Sequence, residues 1–213
     1  MAYKLITDTT SDLPAAFAQE WGVEVLPMEY TLDGKTHTYL PGGGDQPIAD
    51  VYAAMRQGAA VITSQINAYT FSAAFEKHLT EGLDVIYVGF SSALSGTVGS
   101  ARIAEAELAE KYPDRKIAVV DSLSASLGQG LFVYYAARKQ KELGFDEMVA
   151  WLEENKLRFV HWFTVDDLEY LKRGGRVSGA TAAIATVLQI KPVMHVDLSG
   201  HLVAVEKVQG RKK

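Results

Sequence analysis

The chain has 213 residues, of which 48% are hydrophobic and 22% charged, and this globular composition excludes disorder and fibrous repeats. Cysteine is absent, which excludes disulfides, thiolate nucleophiles and cysteine metal sites. The net charge of -5, without a long run of one sign, gives no electrostatic footprint for nucleic acid. No stretch approaches the roughly 20 apolar residues that span a bilayer, and the N-terminus lacks the apolar region of a signal peptide. We therefore predict a cytoplasmic protein without stable membrane insertion.

Short apolar runs alternate with helix-like runs along the first two thirds of the chain. Gly22 ends the first helix-like run, as glycine often does. The strand-like runs lie at 4–7, 23–30, 85–89 and 117–120, and helix-like runs follow them at 14–21, 97–111 and 128–143. Because near-continuous apolar strands suit a buried parallel sheet, we predict an α/β fold.

Residues 31–40 depart from this pattern. The dipeptide Asp33-Gly34 lies between strand-like residues and favours the positive backbone angles of a tight hairpin turn. A glycine-rich stretch at 41–45 then precedes a helix-like run at 47–57. We predict a hairpin outside the parallel sheet, followed by a linker and a helix.

A second domain is predicted after the helix-like run at 145–156, and it begins with a strand-like run at 157–165. The boundary is placed near residue 155, giving an N-terminal α/β domain of residues 1–155 and a second α/β domain of residues 156–213. The second domain is expected to end in a hairpin that pairs 193–197 with 202–208. Since roughly 58 residues make a marginal domain, we expect this domain to be incomplete.

Three hydroxyl-rich loops follow predicted strands, and they lie at 63–65, 91–97 and 121–126. In an open α/β sheet, ligands usually bind outside the carboxyl ends of the strands, where helix N-termini attract anions. Hydroxyls and free N–H groups can bind a carboxylate or phosphate, each charge-assisted bond contributing roughly 1.5–3 kcal/mol. The loops therefore indicate an anion site. The alternative is that Ser95 and Thr97 only cap the following helix.

Nucleotide and metal sites are not indicated. Gly128-Gln129-Gly130 supplies two glycines of a dinucleotide fingerprint, but Val133 occupies the third place. No glycine-rich loop ends in the lysine and hydroxyl residue of a P-loop. The five histidines show no paired metal-ligand spacing. We predict no cofactor and no metal.

Two further functions stay open at this point. Gly89-Phe90-Ser91-Ser92-Ala93 nearly matches the nucleophile elbow of serine hydrolases, although alanine replaces the last glycine. Ser91 would be the nucleophile, with the acid and base drawn from Asp121, Asp166, His161 and His195. The other possibility is a structural or interaction module whose hydroxyl loops only cap helices.

A basic residue follows a predicted short helix at 167–172. The pair Gly174-Gly175 ends that helix and leaves Arg176 on a loop. A planar guanidinium in this position could engage a phosphate or carboxylate on a partner.

The order of these motifs resembles the DegV family of bacterial fatty-acid-binding proteins. The resemblance covers almost the whole chain, and it rests on Thr7-Asp8-Thr9-Thr10-Ser11-Asp12-Leu13, Thr63-Ser64-Gln65, Ser91-Ser92-Ala93-Leu94-Ser95-Gly96-Thr97, Asp121-Ser122, the run 167–176 and Ile190-Lys191-Pro192. It implies a two-domain α/β protein without enzymatic activity of its own, which holds a long-chain fatty acid between its domains.

The resemblance also implies residue roles. The residues matching Thr63 and Ser95 hold the carboxylate of the fatty acid in the family, and we expect Ser64 and Gly96 to belong to the same site. The supporting loops then contain Ser92, Asp121 and Ser122. Family members present the bound acid to a separate ATP-dependent fatty acid kinase, and Arg176 resembles the position that contacts this kinase.

Two departures from the family pattern stand out. Ile66-Asn67 replaces the proline and serine that usually follow the threonine-serine-glutamine loop. The family also extends past the basic segment that 209–213 resembles, and a histidine near the carboxylate comes from that extension. We therefore expect a C-terminally shortened second domain, in which part of the lipid tunnel is absent and binding is weakened.

Overall fold

The computed structural model of the chain describes residues 2–177 and 190–210. The strands are β1 (Tyr3–Asp8), β2 (Glu24–Leu26), β3 (Met28–Leu32), β4 (Lys35–Leu40), β5 (Gly43–Gly44), β6 (Val61–Thr63), β7 (Asp84–Gly89), β8 (Ile117–Asp121), β9 (Trp162–Phe163), β10 (Ile190–Val196) and β11 (Leu202–Gln209). The helices are α1 (Ala15–Trp21), α2 (Ile48–Arg56), α3 (Ala68–Thr80), α4 (Thr97–Lys111), α5 (Leu127–Lys139), α6 (Phe145–Asn155) and α7 (Glu169–Arg173).

A parallel sheet of four strands, in the order β2-β1-β7-β8, forms the centre of the protein. Alternate residues of β7 face opposite sides of this sheet. Ile86 and Val88 pack in one core with residues of α5 and α6, whereas Val85 and Tyr87 pack in another with residues of α3 and α4. Because both faces of β7 are covered, all six of its residues are buried. The predicted α/β fold with a parallel sheet is confirmed.

An antiparallel sheet in the order β5-β4-β3-β6 stands apart from the parallel one. Its β3–β4 hairpin turns at Asp33 and Gly34, whose φ angles of 50° and 77° are those expected of this dipeptide. The predicted hairpin is confirmed. The strand β6 pairs with the other side of β3, with Thr63 opposite Tyr30. Because β6 is an edge strand, this pairing places Thr63 at an edge of the antiparallel sheet.

The C-terminal part contains a third sheet, in the order β11-β10-β9. The predicted terminal hairpin is confirmed, although β10 begins at Ile190. A small core of Leu168, Val177 and Met194 packs under this sheet. The strand-like run expected at 157–165 is mostly irregular, since only β9 pairs with a neighbour. The division of the chain near residue 155 stays a prediction.

Among residues 2–177 and 190–210, no helix combines the length and apolar character needed to cross a membrane.

Candidate functional site

The loops that follow β1, β7 and β8 meet at one edge of the parallel sheet, because parallel strands share the direction of their carboxyl ends. The chain leaves β1 for β2 in one direction and leaves β7 for β8 in the other. The gap between β1 and β7 is therefore a topological switch point, where α/β proteins commonly bind ligands.

Backbone hydrogen bonds hold the loops after β7 and β8 against each other. The Ser91 N–H donates to the Ser124 carbonyl at 2.9 Å. The buried Asp121 carboxylate accepts from the Ser92 and Leu123 N–H groups at 3.2 and 3.0 Å. The Ser122 hydroxyl accepts from the Ser124 N–H at 3.2 Å. Asp121 and Ser122 thus stabilise loop backbone, and their hydrogen bonds stay within the loops.

Ser95 lies at the start of α4 and makes two contacts there. Its hydroxyl is 2.9 Å from the Thr97 hydroxyl and accepts from the Thr97 N–H at 3.3 Å. The same side chain is half-buried and lines a cavity. Capping and an anion site were alternatives from the sequence, and the geometry of Ser95 accommodates both.

Thr63 is the last residue of β6, and its exposed side chain lines the same cavity. The loop after it is held from two sides. The Ser64 N–H donates to the Glu29 carbonyl at 3.0 Å, and the Gln65 side-chain amide donates to the Ser100 hydroxyl at 3.2 Å. The chain therefore brings Thr63 of the antiparallel sheet and Ser95 of the loop after β7 to one cavity.

The cavity has a volume of about 690 Å³, within the range of about 300–1,000 Å³ typical of small-molecule sites. The antiparallel sheet and α2 form one wall, and α7 with the loop after it forms another. The first wall is mostly apolar and includes Met28, Tyr30, Ile48, Val51, Met55 and Ile62. Such a wall suits the apolar body of a ligand.

Polar side chains also line the cavity. They include the hydroxyl residues Thr9, Thr10, Thr63 and Ser95 and the charged residues Asp12, Glu29, Arg173 and Arg176. The Arg176 Nε donates to the Leu94 carbonyl at 3.2 Å, and its guanidinium also contacts the Gly174 carbonyl. The arrangement can hold an anionic head group next to an apolar body.

Beneath Thr9 and Thr10, a buried polar network stabilises the turn after β1. The Asp8 carboxylate accepts from the Thr10 N–H at 2.8 Å and also from the Thr10 and Tyr87 hydroxyls. Burial raises the pKa of Asp8, and it also raises the pKa of Tyr87 well above its usual value. The Gln129 side chain is buried next to Thr10, with 2.9 Å between Gln129 Oε1 and Thr10 Oγ1.

The glycines on either side of Gln129 serve close packing. A Cβ on Gly130 would overlap the Ser11 carbonyl oxygen, and a Cβ on Gly128 would overlap the His161 ring. These contacts explain why glycine stands at both 128 and 130, and the pattern does not require nucleotide binding. No group of three or more histidines and acidic residues within the described residues could hold a metal ion.

The serine hydrolase alternative is wrong for this geometry. Ser91 is 0% exposed, and its hydroxyl donates to the Gly200 carbonyl at 2.8 Å. Gly200 belongs to the loop between β10 and β11, which covers Ser91. A serine nucleophile needs a base within hydrogen-bond reach and access to its substrate, and Ser91 has a backbone carbonyl in that place.

The acids and bases considered for a hydrolase have other contacts. His161 packs against Gly128, and burial lowers its pKa. His195 stacks on the Trp162 ring, with 5.1 Å between ring centroids. Asp166 Oδ1 lies 3.4 Å from Lys191 Nζ. These side chains therefore do not form a catalytic triad with Ser91.

The sequence-predicted residues divide into two groups. Thr63, Ser95 and Arg176 line the cavity, whereas Ser64, Gly96, Ser92, Asp121 and Ser122 do not belong to its wall. Sequence reasoning missed Thr9, Thr10 and Arg173 as residues of the cavity wall. A signal was present, because Thr9 and Thr10 lie in the threonine-rich motif after β1, and Arg173 comes directly before Gly174-Gly175.

Comparison with known proteins identifies the family. A family model described as "Uncharacterised protein, DegV family" matches residues 2–213. A DegV domain-containing protein of Clostridium perfringens is 42% identical over 212 residues, which are 99% of this chain and 72% of the relative. A DegV domain-containing protein of Lactococcus lactis is 36% identical over 214 residues, which are 100% of this chain and 74% of the relative.

Solved structures show the same architecture. A DegV family protein from Thermus thermophilus, described as binding fatty acid, superposes with a TM-score of 0.84 at 34% identity. The match covers 100% of this chain and 73% of the Thermus chain. A fatty-acid-binding DegV family protein from Streptococcus agalactiae superposes with a TM-score of 0.84 at 30% identity. The match covers 100% of this chain and 74% of the Streptococcus chain. The predicted DegV-like architecture is confirmed, and the chain belongs to the DegV family.

Proposed function

We propose that the chain binds a long-chain fatty acid in this cavity. The carboxylate lies at Thr63 and Ser95, with Ser64 and Gly96 in the loops that carry them and with Ser92, Asp121 and Ser122 as support. One observation carries the proposal: a hydroxyl of the antiparallel sheet, a hydroxyl of the loop after β7 and a mostly apolar wall border a single cavity. The fatty acids bound by the Thermus and Streptococcus relatives support it.

The tail and the head group have different tasks in this proposal. Burying a sixteen-carbon tail contributes on the order of 12 kcal/mol at about 0.8 per methylene, before the costs of association. The hydrogen bonds to the carboxylate contribute less, roughly 1.5–3 kcal/mol each. The apolar wall therefore supplies most of the affinity, and the hydroxyls determine where the acidic end lies.

We further propose that the protein presents the acid to a separate fatty acid kinase and does not itself catalyse a reaction. Thr63 and Arg176 both line the cavity and are both exposed, and this supports the proposal. A bound carboxylate beside them is within reach of another protein. Since such a kinase consumes ATP, the encounter takes place in the cytoplasm.

Lipid extraction and equilibrium binding test the proposal. Organic extracts of the purified chain should contain long-chain fatty acid by mass spectrometry, and the delipidated chain should bind palmitic acid. Thr63→Ala and Ser95→Ala should each lower the affinity about tenfold, the effect of losing one hydrogen bond to a charged group. Thr36→Ala is the matched control, because this exposed threonine lies outside the cavity wall. A wild-type chain that neither retains nor binds fatty acid contradicts the proposal.

The role of Arg176 needs a separate assay with the kinase. With a bacterial fatty acid kinase and ATP, the loaded chain should yield acyl phosphate. Arg176→Ala should lower the rate of acyl phosphate formation more than it lowers the affinity for palmitic acid. Equal losses of the two would remove Arg176 from the partner contact.

A further inference from the structure

The side chain of Gln65 joins the two loops that border the cavity. Gln65 follows Thr63 by two residues, yet its Nε2 donates to the Ser100 hydroxyl at 3.2 Å. Ser100 lies in the first turns of α4 and is 7% exposed. A single side chain thus spans from the end of β6 in the antiparallel sheet to a helix that packs on the parallel sheet.

Gly96 provides the space that the Gln65 amide occupies. Gly96 has a φ of -71°, a conformation open to any residue, so its backbone does not require glycine. A Cβ at this position would overlap Gln65 Oε1 and lie 3.0 Å from Gln65 Cδ. The absence of a side chain at residue 96 and the amide at residue 65 are therefore complementary.

This contact lies next to both hydroxyls of the proposed carboxylate site. Thr63 precedes Gln65 by two residues, and Ser95 directly precedes Gly96. The hydrogen bond from the Ser64 N–H to the Glu29 carbonyl stays within the antiparallel sheet. Ile66, the next residue, is buried in the core with residues of α3 and α4, so the loop also packs on that core. The hydrogen bond from Gln65 to Ser100 adds a directional contact between the Thr63 loop and the helix that follows Ser95.

We propose that Gln65 is a positioning residue, which sets the spacing of the Thr63 and Ser95 hydroxyls and thereby makes the site selective for a carboxylate head group. The proposal rests on the proposed function and adds the residue that makes the site specific. Two hydroxyls that converge on one carboxylate lose that ligand when their spacing changes, whereas contacts with the apolar tail persist.

Selectivity between an acid and an alcohol of equal tail length is the measurement that separates positioning from general stability. Gln65→Ala should lower the affinity for myristic acid about tenfold, the loss of one hydrogen bond to a charged group, while the affinity for 1-tetradecanol changes less than about twofold. Gly96→Ala should produce the same change, because the added methyl displaces the flexible end of Gln65. The double variant should lose no more than either single one.

Asn67→Ala is the matched control. The Asn67 side chain accepts from the Thr70 N–H at 2.9 Å and caps α3, so its loss lowers stability two residues from Gln65 without altering the contact with α4. The ratio of acid to alcohol affinity should stay at the wild-type value.

Each outcome decides the proposal. An unchanged ratio in Gln65→Ala, or additive losses in the double variant, overturns the positioning role while fatty acid binding stands. A wild-type chain that does not bind myristic acid overturns both proposals together. If Gln65→Ala fails to fold, Gly96→Ala and Ser100→Ala carry the same test, since each disturbs the contact from the side of α4.

Discussion

Substitution of Gly200 by alanine should detach the C-terminal hairpin from the loop after β7. Gly200 is the buried residue of the loop between β10 and β11, and its carbonyl accepts from the Ser91 hydroxyl at 2.8 Å. A Cβ on this residue would overlap Ser91 Oγ and lie 3.3 Å from Leu123 Cδ2. Because Ser91 is 0% exposed, its hydroxyl has no solvent-facing position to adopt.

Two contributions determine the size of this effect. The φ of +85° at Gly200 is a left-handed conformation, which costs a residue with a side chain about 1–2 kcal/mol. Displacing Ser91 from the carbonyl leaves buried polar groups unsatisfied, at about 1–3 kcal/mol. Together they predict a loss of about 2–5 kcal/mol in the free energy of unfolding. Gly34→Ala isolates the first contribution, because Gly34 has a φ of +77° and nothing within 4 Å of its added Cβ.

Urea unfolding followed by tryptophan fluorescence gives both free energies, and amide hydrogen exchange locates the change. Gly200→Ala should lose more stability than Gly34→Ala, and its added exchange should fall in residues 190–210. Equal losses in the two variants would refute the docking of the hairpin on Ser91.

Three further predictions concern other parts of the molecule. Ser91→Ala should lower the free energy of unfolding by about 1–2 kcal/mol and leave palmitic acid binding intact, whereas fluorophosphonate labelling of Ser91 in the wild type would contradict the structure. Burial raises the pKa of Asp8 above 3.8, so its contribution to stability falls as the pH rises from 3.8 through the raised pKa. Urea unfolding at several pH values should show this decline in the wild type and not in Asp8→Asn. The same pH dependence of the free energy of unfolding in both proteins would refute the prediction. Delipidation should lower the melting temperature. Palmitic acid at 100 times its Kd should then raise the free energy of unfolding by about 2.7 kcal/mol, and an unchanged melting temperature would count against binding in the folded state.

Strong local patterns made several elements predictable. The apolar residues of β7 indicated a strand buried on both faces, and both cores pack on it. Asp33-Gly34 indicated a hairpin turn because both residues tolerate positive φ angles. The run at 157–165 was less predictable, since Phe159 packs on α5 and α6 and only Trp162 and Phe163 pair with β10 as a strand.

The site was only partly accessible from sequence. The ordered hydroxyl loops indicated Thr63 and Ser95, which do border one cavity. Sequence left capping and ligand contact as alternatives for Ser95, because composition cannot show which way a hydroxyl points. The elbow-like motif around Ser91 was misleading, since the Ser91 hydroxyl donates to the carbonyl of Gly200, which is 109 positions away in the sequence.

The sequence by itself determined the alternation of strands and helices, the tight turns and the family. These depend on backbone preferences and on apolar periodicity, which act between near neighbours in the chain. Only the tertiary structure decided that Ser91 is covered, that Gln65 lies against Gly96, and that the Thr63 and Ser95 loops share a cavity. Burial and spacing of this kind arise from contacts between distant segments, and no local pattern records which segments will meet.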